Sequence, residues 1–166
     1  DARTGNMLWK RMAGNWIDNS ACVGEVAGVR AVFAGSHDYN VWAFRSSDGE
    51  VLWKRPLGGE VYSAPAFFQT PDGPMVAAAA LDNHLYVLNA ATGRVETSYF
   101  TGKPMWDKVA KGEMLWGSPA ALEAGDQTAL FHGSFNGEAY VLPFKDTPNN
   151  KCGLRTKVQS AATLWW

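Results

Sequence analysis

Hydrophobic and polar positions alternate over short runs, and no window keeps the 3.6-residue period of an amphipathic helix. In the run 84–89, Leu85, Val87 and Asn89 are predicted to point to one side of a strand and the intervening residues to the other. The run 75–81 is apolar throughout and has the length of one buried strand. The pattern therefore predicts an all-β chain.

Residues 61–100 illustrate the predicted unit of four short strands. The strands are predicted at Ser63–Phe68, Met75–Ala80, His84–Asn89 and Arg94–Phe100. Asp, Asn and Gly recur between them at 70–73, 82–83 and 91–93. These residue types favour tight turns because they accept positive φ or bond their own backbone.

Three features repeat in the same order along the chain. Turn glycines recur 44 residues apart, at Gly5, Gly49 and Gly93. The residue four positions later is a tryptophan in the first two copies (Trp9 and Trp53) and Thr97 in the third, which has lost the tryptophan. A hairpin turn residue recurs at Asp38, Asp82 and Asn136. A small-residue stretch recurs at Ser20-Ala21-Cys22, Ser63-Ala64-Pro65 and Ser118-Pro119-Ala120. Four-stranded units of this length predict a β-propeller, each unit being one blade.

The repeated residues also carry a family resemblance. Asp1–Trp9 and Ala43–Trp53 each end in a Gly-x-x-x-Trp pattern, and Leu88–Arg94 has the same turn without the tryptophan. Ser63–Ala66 and Gly117–Ala120 match an inner-strand pattern. The chain resembles the PQQ-repeat, quinoprotein-like β-propeller family, where PQQ is pyrroloquinoline quinone. The resemblance implies that each tryptophan wedges between neighbouring blades.

The repeats divide the chain into parts of a propeller. These are an outer strand of a preceding blade (1–9), blades at 16–54, 61–100 and 115–157, an inserted loop (101–114), and the first strand of a next blade (158–166). Related propellers mostly have six to eight blades, so we expect the chain to be a segment of such a ring. A four-bladed ring closed by its first and last strands is the alternative.

Composition narrows the classes of partner. Fifteen basic and sixteen acidic residues leave a net charge of −1, which argues against electrostatic binding to nucleic acid. No run approaches the roughly 20 apolar residues of a membrane-spanning helix. Cys22 and Cys152 lack metal-finger spacing, and the sequence leaves open whether they are bonded.

The residues that could carry chemistry are better explained as structural. His37, His84 and His132 lie in or beside the middle hairpins without ligand spacing, so we interpret them as turn or core histidines rather than metal ligands. Asp38, Asp82 and Asn136 are turn residues, and Ser63 and Ser118 lack a nucleophile-elbow sequence. Asp18, Asn19, Asp107 and Glu113 could reach an end of the channel, but nothing pairs two carboxylates across blades. We therefore name no catalytic residue and no metal ligand.

The inserted loop is the candidate contact with a partner protein. It carries the apolar side chains Met105 and Trp106 beside the cations Lys103 and Lys108. A rigid scaffold would present such a loop at its surface. The alternative is a surface loop packed down without a partner.

The resemblance leaves two classes of function. In its enzymes PQQ binds over a calcium ion, against a vicinal Cys-Cys pair that this chain lacks. We therefore favour a non-catalytic scaffold for protein binding or assembly, with no cofactor detectable in this segment. The alternative is a fragment of a PQQ-dependent alcohol or sugar dehydrogenase, with PQQ and calcium. Expected partners are other proteins and the rest of the propeller, from the same or another chain. The family implies a periplasmic or other extracytoplasmic location.

Overall fold

Every regular element that the structure describes is a β-strand. The computed structural model describes residues 1–101, 117–124, 127–133 and 139–143. The strands are β1 (Cys22–Val26), β2 (Val29–Gly35), β3 (Asn40–Arg45), β4 (Val51–Pro56), β5 (Ala66–Thr70), β6 (Gly73–Ala80), β7 (His84–Asn89), β8 (Val95–Phe100), β9 (Ala120–Ala124), β10 (Gln127–Gly133) and β11 (Ala139–Pro143). No helix within these ranges is long and apolar enough to cross a membrane.

The strands form three antiparallel sheets in which each strand pairs with its neighbour in sequence. The first sheet has the order β1-β2-β3-β4, the second β5-β6-β7-β8, and the described part of the third β9-β10-β11. The β6–β7 turn uses the left-handed conformation at Asn83 (φ 65°), as the Asp-Asn pair predicts. The all-β fold, built of four-stranded antiparallel blades as a propeller segment, is confirmed.

The four strands predicted for 61–100 are all present. The strand β7 has the predicted bounds, and β6 and β8 differ from prediction by one or two residues at one end. The strand β5 begins at Ala66, three residues later than predicted, and is preceded by Pro65, which has no N–H to donate to a ladder.

The second sheet lies between the other two, and both of its faces are buried. Met75, Ala77 and Ala79 of β6 pack in one cluster with Leu130 of the third sheet. Val76 packs with the first sheet, as do Ala78 and Ala80. Because successive side chains of a strand point to opposite faces, a strand covered on both sides has no polar position. That is why the run 75–80 is apolar throughout.

Two tryptophans make the same contact with the sheet that follows. The Trp9 indole N–H donates to the Ser46 carbonyl (2.8 Å), and the Trp53 indole N–H donates to the Ala90 carbonyl (2.9 Å). Each ring covers a glycine of the β3–β4 or β7–β8 turn, Gly49 or Gly93. We call this arrangement the Trp-on-glycine contact.

An arginine two residues after each tryptophan completes this contact. Arg11 Nε donates to the Gly49 carbonyl (2.8 Å), and Arg55 Nε donates to the Gly93 carbonyl (2.6 Å). The sequence pattern is therefore Trp-x-Arg. Sequence reasoning did not identify the arginine, although its 44-residue repeat with the tryptophan was there to be found.

The segment before β1 contains no strand. A strand requires a ladder of backbone hydrogen bonds with a neighbouring strand, and the described residues form no such ladder with residues 1–21. The domain boundaries, including residues 1–9 as an outer strand of a preceding blade, stay a prediction. Three parts of the chain lie outside the described residues: 102–116, the fourth strand predicted for blade 115–157, and 158–166.

We predict that a methyl group at Gly93 is more damaging than one at Gly28. Both glycines have positive φ (68° and 77°), but a Cβ at Gly93 would lie 2.6 Å from the Trp53 ring and one at Gly28 would meet nothing. The free energy of unfolding should fall by about 1 kcal/mol for Gly28→Ala and by about 2 to 4 kcal/mol for Gly93→Ala. Urea unfolding measures both. Equal losses would show that the glycine serves only the turn.

Candidate functional site

The loop predicted to contact a partner lies outside the described residues. Lys103, Met105, Trp106 and Lys108 all belong to it, and their role stays a prediction. Cys152 also lies outside, while Cys22 is half-buried and packs in the core. Burial raises the pKa of the Cys22 thiol to about 11, so it is a packed neutral group at neutral pH.

Several polar side chains that the sequence singles out lie at one edge of the sheets. Segments 13–19, 36–40, 57–63 and 81–84 meet there, and we call this the upper edge. His37 N donates to the Trp16 carbonyl (3.0 Å), and Leu81 N donates to the Glu60 carbonyl (2.9 Å). The chain entering each of the first two sheets is thus bonded to the middle hairpin of that sheet.

The two turn aspartates bind this edge together. The Asp38 carboxylate accepts from Gly14 N (2.9 Å) and from Trp42 Nε1 (3.0 Å). Burial opposes ionisation of Asp38, but the hydrogen bonds from Gly14 N and from Asn40 hold its pKa below the usual value.

Asp82 repeats the arrangement. Its carboxylate accepts from the Tyr86 hydroxyl, and that hydroxyl accepts from Gly58 N (3.3 Å). Both aspartates therefore have the turn role that the sequence predicts, and Asn136 lies outside the described residues.

The three histidines occupy three different environments. His37 is buried, its Nε2 lies 2.9 Å from an Asp18 carboxylate oxygen, and its ring centroid lies 3.8 Å from that of Tyr62. His84 Nδ1 lies 3.0 Å from the Asp82 carbonyl oxygen. His132 has no exposed surface, and neither of its ring nitrogens has a hydrogen-bond partner among the described residues. Among the residues that the structure describes, no group of His, Cys, Asp and Glu could hold a metal ion.

We predict that His132 makes the fold sensitive to acid. Burial lowers the pKa of its imidazole from 6.5 to about 4, so below pH 6.5 the unfolded chain binds a proton that the folded chain does not. The free energy of unfolding should fall by about 3 kcal/mol as the pH drops from 6.5 to about 4. Above pH 6.5 this histidine should contribute no pH dependence.

Urea unfolding at several pH values measures this dependence. His132→Leu, which removes the titrating group, should lose that part of the pH dependence. Parallel curves for the two proteins would contradict the prediction.

The repeated small-residue stretch has a structural use that corrects its alignment. Ser63 Oγ is buried, donates to the Ala79 carbonyl (3.0 Å) and accepts from Ala79 N (2.8 Å). In the first sheet the corresponding bond comes from Asn19 Nδ2 to the Gly35 carbonyl (3.0 Å), whereas Ser20 is exposed.

Strand register explains the shift of one residue. Cys22 pairs with Phe33 in the first sheet, and Ala66 pairs with Ala77 in the second, so Cys22 and Ala66 are equivalent positions. Three residues earlier, Asn19 and not Ser20 is therefore equivalent to Ser63. In the third sheet Ala120 pairs with Phe131, so Gly117 is the residue equivalent to Ser63. Ser118 is one position further along the chain, and its Oγ accepts from Ala64 N (3.0 Å), which joins the second and third sheets.

We predict that Ser63→Ala destabilises the protein and Ser20→Ala does not. The first substitution leaves the buried N–H and carbonyl of Ala79 without their partner, which should lower the free energy of unfolding by about 1 to 3 kcal/mol. The second removes an exposed hydroxyl and should stay within about 0.5 kcal/mol. Thermal unfolding of both variants decides between the corrected and the original alignment.

The comparisons with known proteins point to one family. The family model described as outer membrane protein assembly factor BamB matches residues 1–146. The BamB of Burkholderia pseudomallei (strain K96243) is 30% identical over 126 residues, which are 75% of this chain and 30% of that protein. The beta-alanine-activating enzyme of Mus musculus is 31% identical over 92 residues, 50% of this chain and 8% of that protein.

Solved structures show the same fold at low identity. The crystal structure of BamB from Moraxella catarrhalis superposes with a TM-score of 0.57 at 15% identity, covering 85% of this chain and 39% of that one. BBS1N in complex with ARL6DN superposes with a TM-score of 0.61 at 14% identity, covering 88% and 43%. The chain thus spans less than half the length of each of these relatives.

Proposed function

The chain belongs to the family of outer membrane protein assembly factor BamB, the PQQ-repeat β-propellers, and from this premise we propose that it is part of a propeller scaffold for protein assembly. The specific role is a non-catalytic subunit or domain of a larger complex. On the same grounds we propose an extracytoplasmic location, in the periplasm.

The observation that carries the proposal is the structural use of the polar side chains at the upper edge. Asp38, Asp82 and Ser63 each bond the backbone or a neighbouring aromatic group. A catalytic acid, base or nucleophile must lie within hydrogen-bond reach of its substrate, and these three groups are directed to groups of the protein itself. An edge whose polar groups hold the sheets together is suited to presenting a fixed surface.

The outer faces of the described sheets support a larger ring. On the third sheet, Leu122 is 64% exposed and Phe131 49%, beside Val141. The corresponding face of the second sheet is buried by a neighbouring sheet. We propose that further blades, from the same or another chain, cover these apolar faces, because soluble proteins rarely leave such faces open.

The proposal is tested on the full-length protein by two measurements. Affinity purification after mild cross-linking should recover partner proteins in a fixed ratio. Addition of PQQ and calcium should produce neither a bound near-ultraviolet chromophore nor dye-linked oxidation of alcohols or sugars. PQQ-dependent oxidation would overturn the proposal and establish the quinoprotein dehydrogenase alternative.

A further inference from the structure

Exposed aromatic side chains stand at the upper edge beside carboxylates. Trp16 is 75% exposed, Tyr39 is 49% exposed, and Tyr62 is half-buried. Glu60 bonds the Tyr62 hydroxyl, and Asp18 contacts the His37 ring that packs on Tyr62. We call Trp16, Asp18, Tyr39, Glu60 and Tyr62 the aromatic patch.

Hydrogen bonds hold the backbone of the aromatic patch in place. The Trp16 carbonyl accepts from His37 N (3.0 Å) and from Ser36 Oγ (3.1 Å). Leu57 N donates to the Tyr39 carbonyl (2.8 Å). The rings are therefore presented on an ordered backbone, so a partner would pay little entropy to order this surface.

The ring of His37 connects the two sides of the patch. Its centroid lies 3.8 Å from that of Tyr62 and 6.0 Å from that of Trp16, and its Nε2 contacts Asp18. The Tyr62 hydroxyl bonds the Glu60 carboxylate. Each carboxylate has a partner among the described residues, and a carboxylate has further lone pairs that can accept from a donor outside the protein.

Ile17 is exposed but does not belong to the patch. It is 44 residues before Val61, whose side chain is buried between the first and second sheets. By the same repeat, we expect a neighbouring blade to bury Ile17 as the first and second sheets bury Val61. Trp16 corresponds instead to Glu60, which remains partly exposed with both of its neighbouring sheets in place.

The charge of the upper edge selects the kind of partner. Its four segments contain the carboxylates of Asp18, Asp38, Glu60 and Asp82 and no lysine or arginine. The opposite edge of the same two sheets, at 27–30, 45–50, 70–73 and 89–94, carries three arginines and three carboxylates. The Lys54 ammonium lies 5.1 Å from the centroid of the Trp42 ring, whose indole N–H donates to Asp38. The described charged residues within the segments of the upper edge are thus acidic, whereas the opposite edge carries charges of both signs, including Arg11 and Arg55 on the Gly49 and Gly93 carbonyls.

We propose that the aromatic patch is a docking site for a basic, arginine-bearing segment of a partner protein. A guanidinium stacks on indole and phenol faces and donates to carboxylates in the same plane, a combination that an ammonium matches less well. Exposed Trp and Tyr on an ordered backbone are the side chains that dominate binding energy at interfaces. The inference rests on the proposed function, since it names the chemistry of the partner that the scaffold would hold.

The test uses full-length protein and a rhodamine-labelled dodecapeptide of alternating arginine and serine. Fluorescence anisotropy should show binding that weakens with salt, and a peptide with glutamate in place of arginine should not bind. Trp16→Ala, and the double substitution Asp18→Asn with Glu60→Gln, should each weaken binding by about fivefold or more, the loss of one exposed cation–π contact or ion pair.

Glu25→Gln is the matched control. Glu25 is an exposed carboxylate near the opposite end of β1, so its loss should leave the peptide affinity unchanged. Equal affinity of the patch variants and the parent protein, or an equal loss in Glu25→Gln, would overturn the inference. Should the double substitution prevent folding, Trp16→Ala decides alone, with Trp16→Tyr expected to keep most of the affinity.

The peptide titration and the copurification separate the two proposals. Parent protein that recovers no partner contradicts the scaffold function whatever the peptide does. Patch variants that still recover every partner, and still bind the peptide, contradict the docking site while the scaffold function stands.

Discussion

The packing of an indole on a turn glycine of the sheet that follows it in the chain is the interaction on which the rest of the structure depends. Trp9 and Trp53 make it with the same hydrogen bond and the same neighbouring arginine. The glycine must lack a side chain because the ring occupies the space of its Cβ, and its positive φ sets the turn that presents a carbonyl to the arginine. One residue type thus satisfies two requirements at once.

The consequence for packing is a sheet buried on both faces. Once neighbouring sheets are held at this separation, the middle strands have no solvent side, and β6 contains alanine, valine and methionine where a half-exposed strand would alternate. Polar groups are then confined to the edges. There they bond other groups of the protein: Asp38 accepts from Gly14 N, Asp82 accepts from the Tyr86 hydroxyl, and Ser63 donates to the Ala79 carbonyl.

The upper edge combines this structural use with an exposed surface. Asp18 and Glu60 contact the side chains of His37 and Tyr62, and hydrogen bonds to the carbonyls of Trp16 and Tyr39 order the backbone beside them. Structural fixing and surface presentation therefore come from one set of contacts. Buried His132 has no hydrogen-bond partner within the part of the chain that the structure describes, and its desolvation links the packing of the third sheet to pH.

The sequence by itself determined the strands, the turns and the repeat, because alternation and turn chemistry are local properties. It also identified Trp9, Trp53 and the turn aspartates, since these recur at a fixed spacing. Only the tertiary structure decided that Asn19 rather than Ser20 corresponds to Ser63, because strand register depends on pairing that a repeat of small residues does not specify. It alone joined Trp16, Asp18 and Tyr62 around His37, since those residues come from segments that meet only when strands of two sheets end at one edge.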